Sequence, residues 1–411
     1  MIEVWGFYLF SPRMPLPRGE VKPDDYQEAY DRYIDLWVNC ERWGFDGLAW
    51  AEHHFNPMNL SPSPNLVVAA VAARTQRLRF TTLGAVLSMH DGRRYAEECG
   101  MLDYLTHGRF EPGIAPGAGP AEAMESGVPA EDVRPRYYSG AEVLSKSIAG
   151  PFVTHHDAYY NLEEVPISPR LHQTPGQSVW VTVMSPDSAA WCAERGWKMC
   201  TAWSPTSVVG ALAAGYWEAG EAAGRPANPS MLGLRRRVFV ADSDAEAREK
   251  YEAATDIIGA LAGRGFETMD PKILAFMMQP DDFVIGSPET VAEQLIEQCR
   301  AGGFGVVMAF TTSRCSPPKI WRARTSCSAH ASGPSSTLRM SPGRVDLRRV
   351  ANACFPAGTP ERRLQVHDLA CANPFSADTV EGSARRVTAR IRVQTVVGAR
   401  NSNPGPHGPE P

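Results

Sequence analysis

The chain has 411 residues, 43% of them hydrophobic, a formal net charge of −5 and nine cysteines. That is enough apolar material for one large domain or two, and the charge balance gives no overall attraction for nucleic acid. The opening MIEVWGFYLF lacks the features of an export signal, no run is long enough to span a bilayer, and the absence of a CxxC pair fits reduced thiols, so a cytoplasmic location without membrane contact is expected.

Taken in chain order, IEVWGFYLF predicts a strand and residues 25–43 a helix ended by Gly44. FDGLAWA reads as a short buried strand, residues 66–75 as a helix, and LRFTTLGAVL as a β-branched strand. Helix is expected over 95–104, strand over GRFEPGIA, and helix again over 136–148. FVTHHDAYYNL has the look of a β-hairpin. SVWVTVM and WKMCTAW are strands, followed by helices over 187–195 and 208–223. RRRVFVA is a strand, 244–261 a helix, and 288–301 a helix capped by Ser287 with proline at its first position. GVVMAF is the last strand.

Eight strands alternating with helices imply parallel pairing, and their continuously apolar character fits burial on both faces. A (β/α)8 TIM-type barrel over residues 1–312 is the fold expected, with an open doubly wound sheet as the alternative. From 313 onward the composition changes. Residues 313–411 hold fifteen basic residues against six acidic ones, are rich in Ser, Pro and Arg, and show little periodicity. This segment is expected to be an irregular tail.

In a barrel of this kind, chemistry sits on the loops after the strands. AWAEHHFNPM places Glu52, His53 and His54 there. Adjacent residues leaving a strand point in opposite directions, so at most one imidazole is expected to face the barrel mouth; the alternative is a pair of hydrogen-bonded structural histidines. No second cluster at HExxH or CxxC spacing accompanies them, and His155, His156 and Asp157 fall in the hairpin, so no metal site is expected. GRFEPGIAPGAG is glycine-rich without being a GxGxxG or P-loop motif. Its Gly117 could let backbone approach a planar ring or a phosphate, or serve only as a flexible loop. VMSPDSAAW offers Ser185 as a helix cap, and a helix N-terminus with free N–H groups suits phosphate.

The ordered set GFDGLAWAEHHF, LRFTTLGAVL, LTHGRFEPGIAPG, VWVTVMSPDSAAWCAERGWKM and IGSPETVAEQLIEQCRAGGFGVVM resembles the bacterial luciferase-like flavin-dependent monooxygenases. The resemblance implies a barrel that takes reduced FMN and oxygen, oxygenates a small organic substrate through a flavin C4a-peroxide, and receives its flavin from a separate reductase. A homodimer is expected. By position it implies His53 as the catalytic histidine beside the flavin and Glu52 as its acidic neighbour. Leu83-Gly84 matches a small-residue peptide, often cis, under the flavin ring. Ala115 and Gly117 line the cofactor loop, Ser185 and Ser188 supply phosphate-binding hydroxyls, Arg134 or Arg136 a phosphate cation, and Trp203 an aromatic near the ring.

Some positions depart from the pattern. Ala115-Pro116 stands where the luciferase alpha chain has Cys-Arg, and Met184 where it has a glutamate. Light emission is therefore not expected. Two other readings stay open: a deazaflavin-dependent oxidoreductase, and a non-catalytic flavin-binding partner subunit.

After GVVMAF the resemblance implies a final helix that closes the barrel. Instead the chain reads TTSRCSPPKIWRARTSCSAHASGPSS. Codons begun at the third base of each present codon permit DMARSHELFGPRIWPVV over residues 319–335, an amphipathic phrase with a family-like ending. The tail is therefore read as a frameshift product that leaves the barrel short of its last helix; the alternative is a genuine basic extension.

Overall fold

Strand β1 (Glu3–Tyr8) lies between β2 (Gly47–Trp50) and β13 (Val306–Phe310) and pairs with both in parallel. The computed structural model that shows this describes residues 2–10, 22–55, 59–117, 120–171, 178–202, 204–251 and 282–310. The expected tail and the missing final helix lie outside the described residues.

From β2 the parallel pairing passes to β3 (Arg79–Thr82) and on to β5 (Phe110–Glu111). Strand β4 (Ala85–Val86) pairs with β6 (Gly113–Ala115), and β6 pairs with β9 (Trp180–Val183). The series continues through β10 (Lys198–Thr201) and β11 (Leu232–Val240) to β13. β3 and β4 are two halves of one run interrupted at Leu83-Gly84, and β5 and β6 are two halves interrupted at Pro112, which has no N–H to give a ladder. Counted by chain run, eight parallel staves close into a ring, the barrel expected from the alternation.

The helices fall between the staves. They are α1 (Pro23–Arg42), α2 (Pro64–Ala72), α3 (Gly92–Leu105), α4 (Pro120–Glu125), α5 (Ala130–Ala149), α6 (Pro186–Glu194), α7 (Thr206–Ala222) and α8 (Pro288–Gly302). Local sequence sets their ends. In α8 the Ser287 side chain accepts from the Thr290 N–H, Pro288 begins the first turn, and Gly303 stops the helix at φ 71° in the left-handed region. In α1 the apolar stripe delivers Tyr33 and Trp37 to the outer face of the barrel, where Trp37 meets Tyr8, Phe10 and Trp50 at ring-centroid distances of 4.9–5.5 Å. Residues 244–251 are helical; the rest of the helix expected up to 261 lies outside the described residues.

Two elements differ from the sequence expectation. The short helix α4 had no clear periodic signal, because six residues do not complete two turns. Strand β12 (Phe283–Gly286) pairs in parallel with the end of β11 and was not anticipated. The hairpin is present: β7 (Phe152–His156) and β8 (Asn161–Pro166) pair antiparallel, apart from the barrel sheet.

The barrel interior is filled rather than hollow. Trp5, Phe7, Ala49, Ala51, Leu83, Trp180, Cys200, Val306 and Met308 form one buried cluster inside the ring. At the N-terminal end of the strands, Glu111 closes the floor. It accepts from Trp180 Nε1 at 2.6 Å and Lys198 Nζ at 2.7 Å, and it pairs with Arg79, which also reaches Glu3 at 3.1 Å. Glu111 is buried and has its charge met by Lys198 and by the partly exposed Arg79, as a buried charge requires. In a barrel the opposite, C-terminal end is where ligands bind.

Candidate active site

The site is built on the loops that follow β2 and β4. β2 is buried along its whole length, and the chain emerges at Ala51 with its carbonyl held by the Ser61 hydroxyl at 2.8 Å. Glu52 is next and only 3% exposed. A buried carboxylate needs partners, and this one has two: its Oε1 accepts from His54 Nε2 at 2.8 Å and from His90 Nε2 at 2.7 Å. An ionised carboxylate can only accept, so both nitrogens carry a proton. Burial alone would raise the Glu52 pKa, but the two imidazole hydrogen bonds more than offset it, and the carboxyl is held below its ordinary value. His90 responds in the opposite sense: burial pulls its pKa down, the hydrogen bond to Glu52 pushes it up, and the net shift is upward.

His53 turns away from this cluster. Its Nδ1 lies 3.0 Å from Oε1 of Glu122, and the same oxygen accepts the backbone N–H of His54 at 3.2 Å. The carboxylate fixes the proton on Nδ1, which leaves Nε2 of the neutral ring with its lone pair free for chemistry. The expectation that the two adjacent histidines part ways holds, and each is fixed by a different carboxylate. Adjacency in the sequence did not indicate these pairings. Glu52, placed beside His53 in the sequence, serves His54 and His90, and the acid that orients His53 is Glu122, 69 positions further along.

Glu122 and His90 were both missed by the sequence reading. His90 carried a faint signal, since it immediately precedes the Asp91 cap of α3 on the loop after a predicted strand. Glu122 carried none beyond an acid in a first helical turn.

The small residues singled out in the sequence lie on β4, β6 and the loops beside them. The Leu83-Gly84 peptide is cis. A Cβ on Gly84 would lie 2.3 Å from the carbonyl carbon of Ile114 and 2.7 Å from the nitrogen of Ala115, so β4 and β6 approach there only because the side chain is absent. Gly117 has φ +126°, which L side chains rarely adopt, and Ser88 Oγ holds the preceding Pro116 carbonyl at 3.0 Å. Gly84 thus sits where neighbouring staves come close backbone to backbone, and Gly117 on the loop that follows β6.

Ser185 caps α6. Its side chain accepts from the Ser188 N–H, and the Ser188 hydroxyl in turn receives the Ser185 N–H at 3.1 Å. Both lie at the exposed C-terminal end of β9, where a helix N-terminus favours an anion. Tyr138 of α5 packs on Trp191 of α6 with ring centroids 5.3 Å apart. Arg134 is exposed one helical turn before Tyr138. Arg136 is committed elsewhere, with its guanidinium 5.7 Å from the Tyr159 ring at the hairpin. Trp203 lies outside the described residues.

The hairpin histidines are accounted for locally. His155 Nε2 meets Asp157 at 2.9 Å, and His156 bonds Asn161 at 2.7 Å and Glu163 at 3.1 Å. A second charged cluster was not foreseen. Arg235, Arg236 and Arg237 surround the buried Asp282, Arg235 at 3.8 Å and Arg236 at 3.7 Å, with Arg237 in direct contact. Burial pushes the Arg235 guanidinium down to about 9, against the opposing pull of Asp282.

The sequence model of the luciferase-like monooxygenase family matches residues 14–304. Among curated relatives, the uncharacterised protein y4wF of Sinorhizobium fredii is 36% identical over 215 residues, which cover 52% of this chain and 63% of that protein. Among solved structures, the oxygenating constituent of 3,6-diketocamphane monooxygenase from Pseudomonas putida, a type II Baeyer-Villiger monooxygenase in complex with FMN, superposes with a TM-score of 0.57 at 21% identity, over 75% of this chain and 91% of the other. An F420-dependent secondary alcohol dehydrogenase gives 0.59 at 15% identity, over 75% and 93%. At such identities the two structures speak for the fold alone.

Proposed function

The chain belongs to the luciferase-like monooxygenase family, and from that premise we propose that it is an FMN-dependent monooxygenase that oxygenates a small organic substrate, with a separate flavin reductase as its source of reduced cofactor. The single observation that carries the reading is the His53–Glu122 pair on the loops that follow the barrel strands. It supplies one imidazole oriented by a carboxylate at the end of the barrel where chemistry is expected.

The residues present fit a flavin. The absence of side chains at Gly84 and Gly117, where the resemblance puts the flavin ring, is compatible with a planar ring lying close to the backbone there. The Ser185 cap, Ser188 and the exposed Arg134 would hold the phosphate, through hydroxyls, helix N–H groups and one guanidinium. When bound, reduced FMN supplies the electrons that activate oxygen. The protein's own part is to exclude water, orient the substrate and move a proton. His53 suits the last, because an imidazole both takes and gives a proton near neutral pH and its Nε2 is the nitrogen left available. Glu52, tied up by His54 and His90, acts by holding the His54 side of the loop so that His53 is presented to the mouth.

The likeness to the oxygenating constituent of diketocamphane monooxygenase supports a two-component system with a reductase partner. The dehydrogenase likeness keeps the deazaflavin coenzyme as the second reading. Leu66 of α2 and Met101 and Leu105 of α3 are exposed apolar side chains on neighbouring helices, a patch that a second copy of the chain would cover in a homodimer. No helix among the described residues is long and apolar enough to cross a membrane.

Equilibrium dialysis against reduced FMN and against the reduced deazaflavin coenzyme separates the two cofactors. Preferential binding of FMN, with NADH- and oxygen-dependent product formation once a generic reductase is added, is the result expected. Binding of the deazaflavin alone would overturn the monooxygenase reading. Binding of FMN without turnover across a panel of aldehydes and ketones would favour a partner subunit.

A further inference from the structure

We propose that Glu52, His54 and His90 form a binding site for one divalent transition metal ion of the zinc type, separate from His53 and requiring no flavin. The three donor atoms, one carboxylate oxygen and two imidazole nitrogens, all lie within 4.8 Å of one another, and among the described residues this is the group that could hold a metal ion.

The donor set suits the ion. Two imidazoles and one carboxylate are a recurrent set for zinc with an open fourth position, and borderline nitrogen and oxygen donors take zinc, nickel or cobalt far better than magnesium or calcium. The distances are close to what is needed. The carboxylate oxygen is 2.8 Å from one nitrogen and 2.7 Å from the other. Bonds of about 2.0–2.2 Å to a tetrahedral ion separate its ligands by roughly 3.3–3.5 Å, so each nitrogen must draw back from the carboxylate oxygen while the two nitrogens, within 4.8 Å of each other, settle at the same spacing. Each Nε2 must present its lone pair to the metal: a protonated ring releases the Nε2 proton to solvent, while a neutral ring carries its proton on Nδ1 instead, and the carboxylate oxygen exchanges the two N–H donors for the metal ion.

The donors are also held in place. Glu52 follows a fully buried strand, with the Ala51 carbonyl pinned by Ser61 at 2.8 Å. His90 ends a tight turn, closed by Leu87 N–H to Ala85 O at 3.0 Å and Met89 N–H to Val86 O at 2.8 Å, and is followed at once by the Asp91 cap of α3. The histidines are not sealed in: the side chains of His54 and His90 are 18% and 32% exposed, which gives an ion a path to the buried carboxylate. A salt-bridged triad of purely structural purpose would have no need of two solvent-reachable rings on one carboxylate oxygen. The hairpin shows the contrast, with His155 and His156 each paired to a different acid.

The test uses the full chain without flavin, titrated with Co2+ and Zn2+. One equivalent of Co2+ is expected, with visible absorption bands of a four- or five-coordinate nitrogen and oxygen site that Zn2+ bleaches. His54→Ala and His90→Ala should each weaken binding by more than about 100-fold, beyond the 10–100-fold typical of losing an outer-shell partner, while His156→Ala leaves it unchanged. Diethyl pyrocarbonate labelling of the unmodified chain gives a reading that needs no substitution: Zn2+ should protect His54 and His90. The proposal is overturned by the absence of saturable binding, by unaltered binding in a folded His90→Ala chain, or by labelling of both histidines undiminished by zinc. Because no arm uses turnover or flavin, failure here leaves the monooxygenase reading standing, and the converse holds.

Discussion

Oε1 of Glu122 accepts from both Nδ1 of His53, at 3.0 Å, and the backbone N–H of His54, at 3.2 Å. One oxygen from the short helix after β6 thus fixes the tautomer of one histidine and the backbone of the next. If His53 moves the proton in the reaction, Glu122 is the residue that positions it. His53→Ala should cost about 10²–10⁴ in kcat with a reductase supplying flavin. Glu122→Ala should cost part of that, and the double variant little more than His53→Ala alone, because the two side chains act through one ring. Fully additive losses in kcat would separate them.

The phosphate site yields a cofactor prediction. A charge-assisted hydrogen bond is worth roughly 1.5–3 kcal/mol, so Arg134→Ala should weaken FMN by about one to two orders of magnitude and leave riboflavin, which has no phosphate, unaffected. Arg136→Ala should do much less, since that guanidinium lies over Tyr159. Fluorescence titration with both flavins checks this. Equal loss of riboflavin and FMN would assign Arg134 to folding instead.

Gly84 makes a packing prediction. A methyl group there meets the Ile114 backbone at 2.3 Å, and backbone cannot swing aside as a long side chain can. Gly84→Ala should therefore cost about 1–3 kcal/mol, seen as a melting temperature lowered by several degrees, together with weakened flavin binding. Gly127→Ala is a useful control, since that position has a positive φ of 76° but open space around it. Its cost should be strain alone.

The Glu52–His90 pair sets a pH dependence. The folded pKa of His90 is raised, so its contribution to stability is fully present below its unfolded value of about 6.5 and is lost as pH rises through the folded one. The folded pKa of Glu52 is lowered, so its contribution is present above about 4.3 and is lost as pH falls through its folded value. The difference in melting temperature between the natural chain and His90→Gln should be greatest near pH 5–6 and shrink towards pH 8. A difference that grows with pH would reverse the sign and refute the assignment.

The reading of residues 313–411 as a frameshift product is a genetic prediction that needs no structure. Resequencing across the codons for Ala309 to Thr325 should find one inserted or deleted base, after which the frame gives a closing helix for the barrel. An unambiguous read without it, joined to a protease-resistant tail, would support a genuine basic extension.

What the sequence determined by itself was periodic and local. Alternation of short apolar runs with amphipathic stretches reports burial on two faces of a strand and one face of a helix, so the barrel, the hairpin and the caps at Ser185 and Ser287 were legible. Leu83 and Gly84 were singled out through motif resemblance to the family alone, whereas His53, Ser185 and Ser188 also follow strands that periodicity locates. Which side chains meet across the mouth was not legible. The sequence assigned Glu52 no hydrogen-bond partner, and Glu122 and His90 were not singled out. Their partners lie 69 and 38 positions away, and contacts of that range depend on how neighbouring staves are staggered around the ring. Only closure of the barrel decides that stagger. It brought two loops to one carboxylate, and a third to the imidazole on which the proposed chemistry rests.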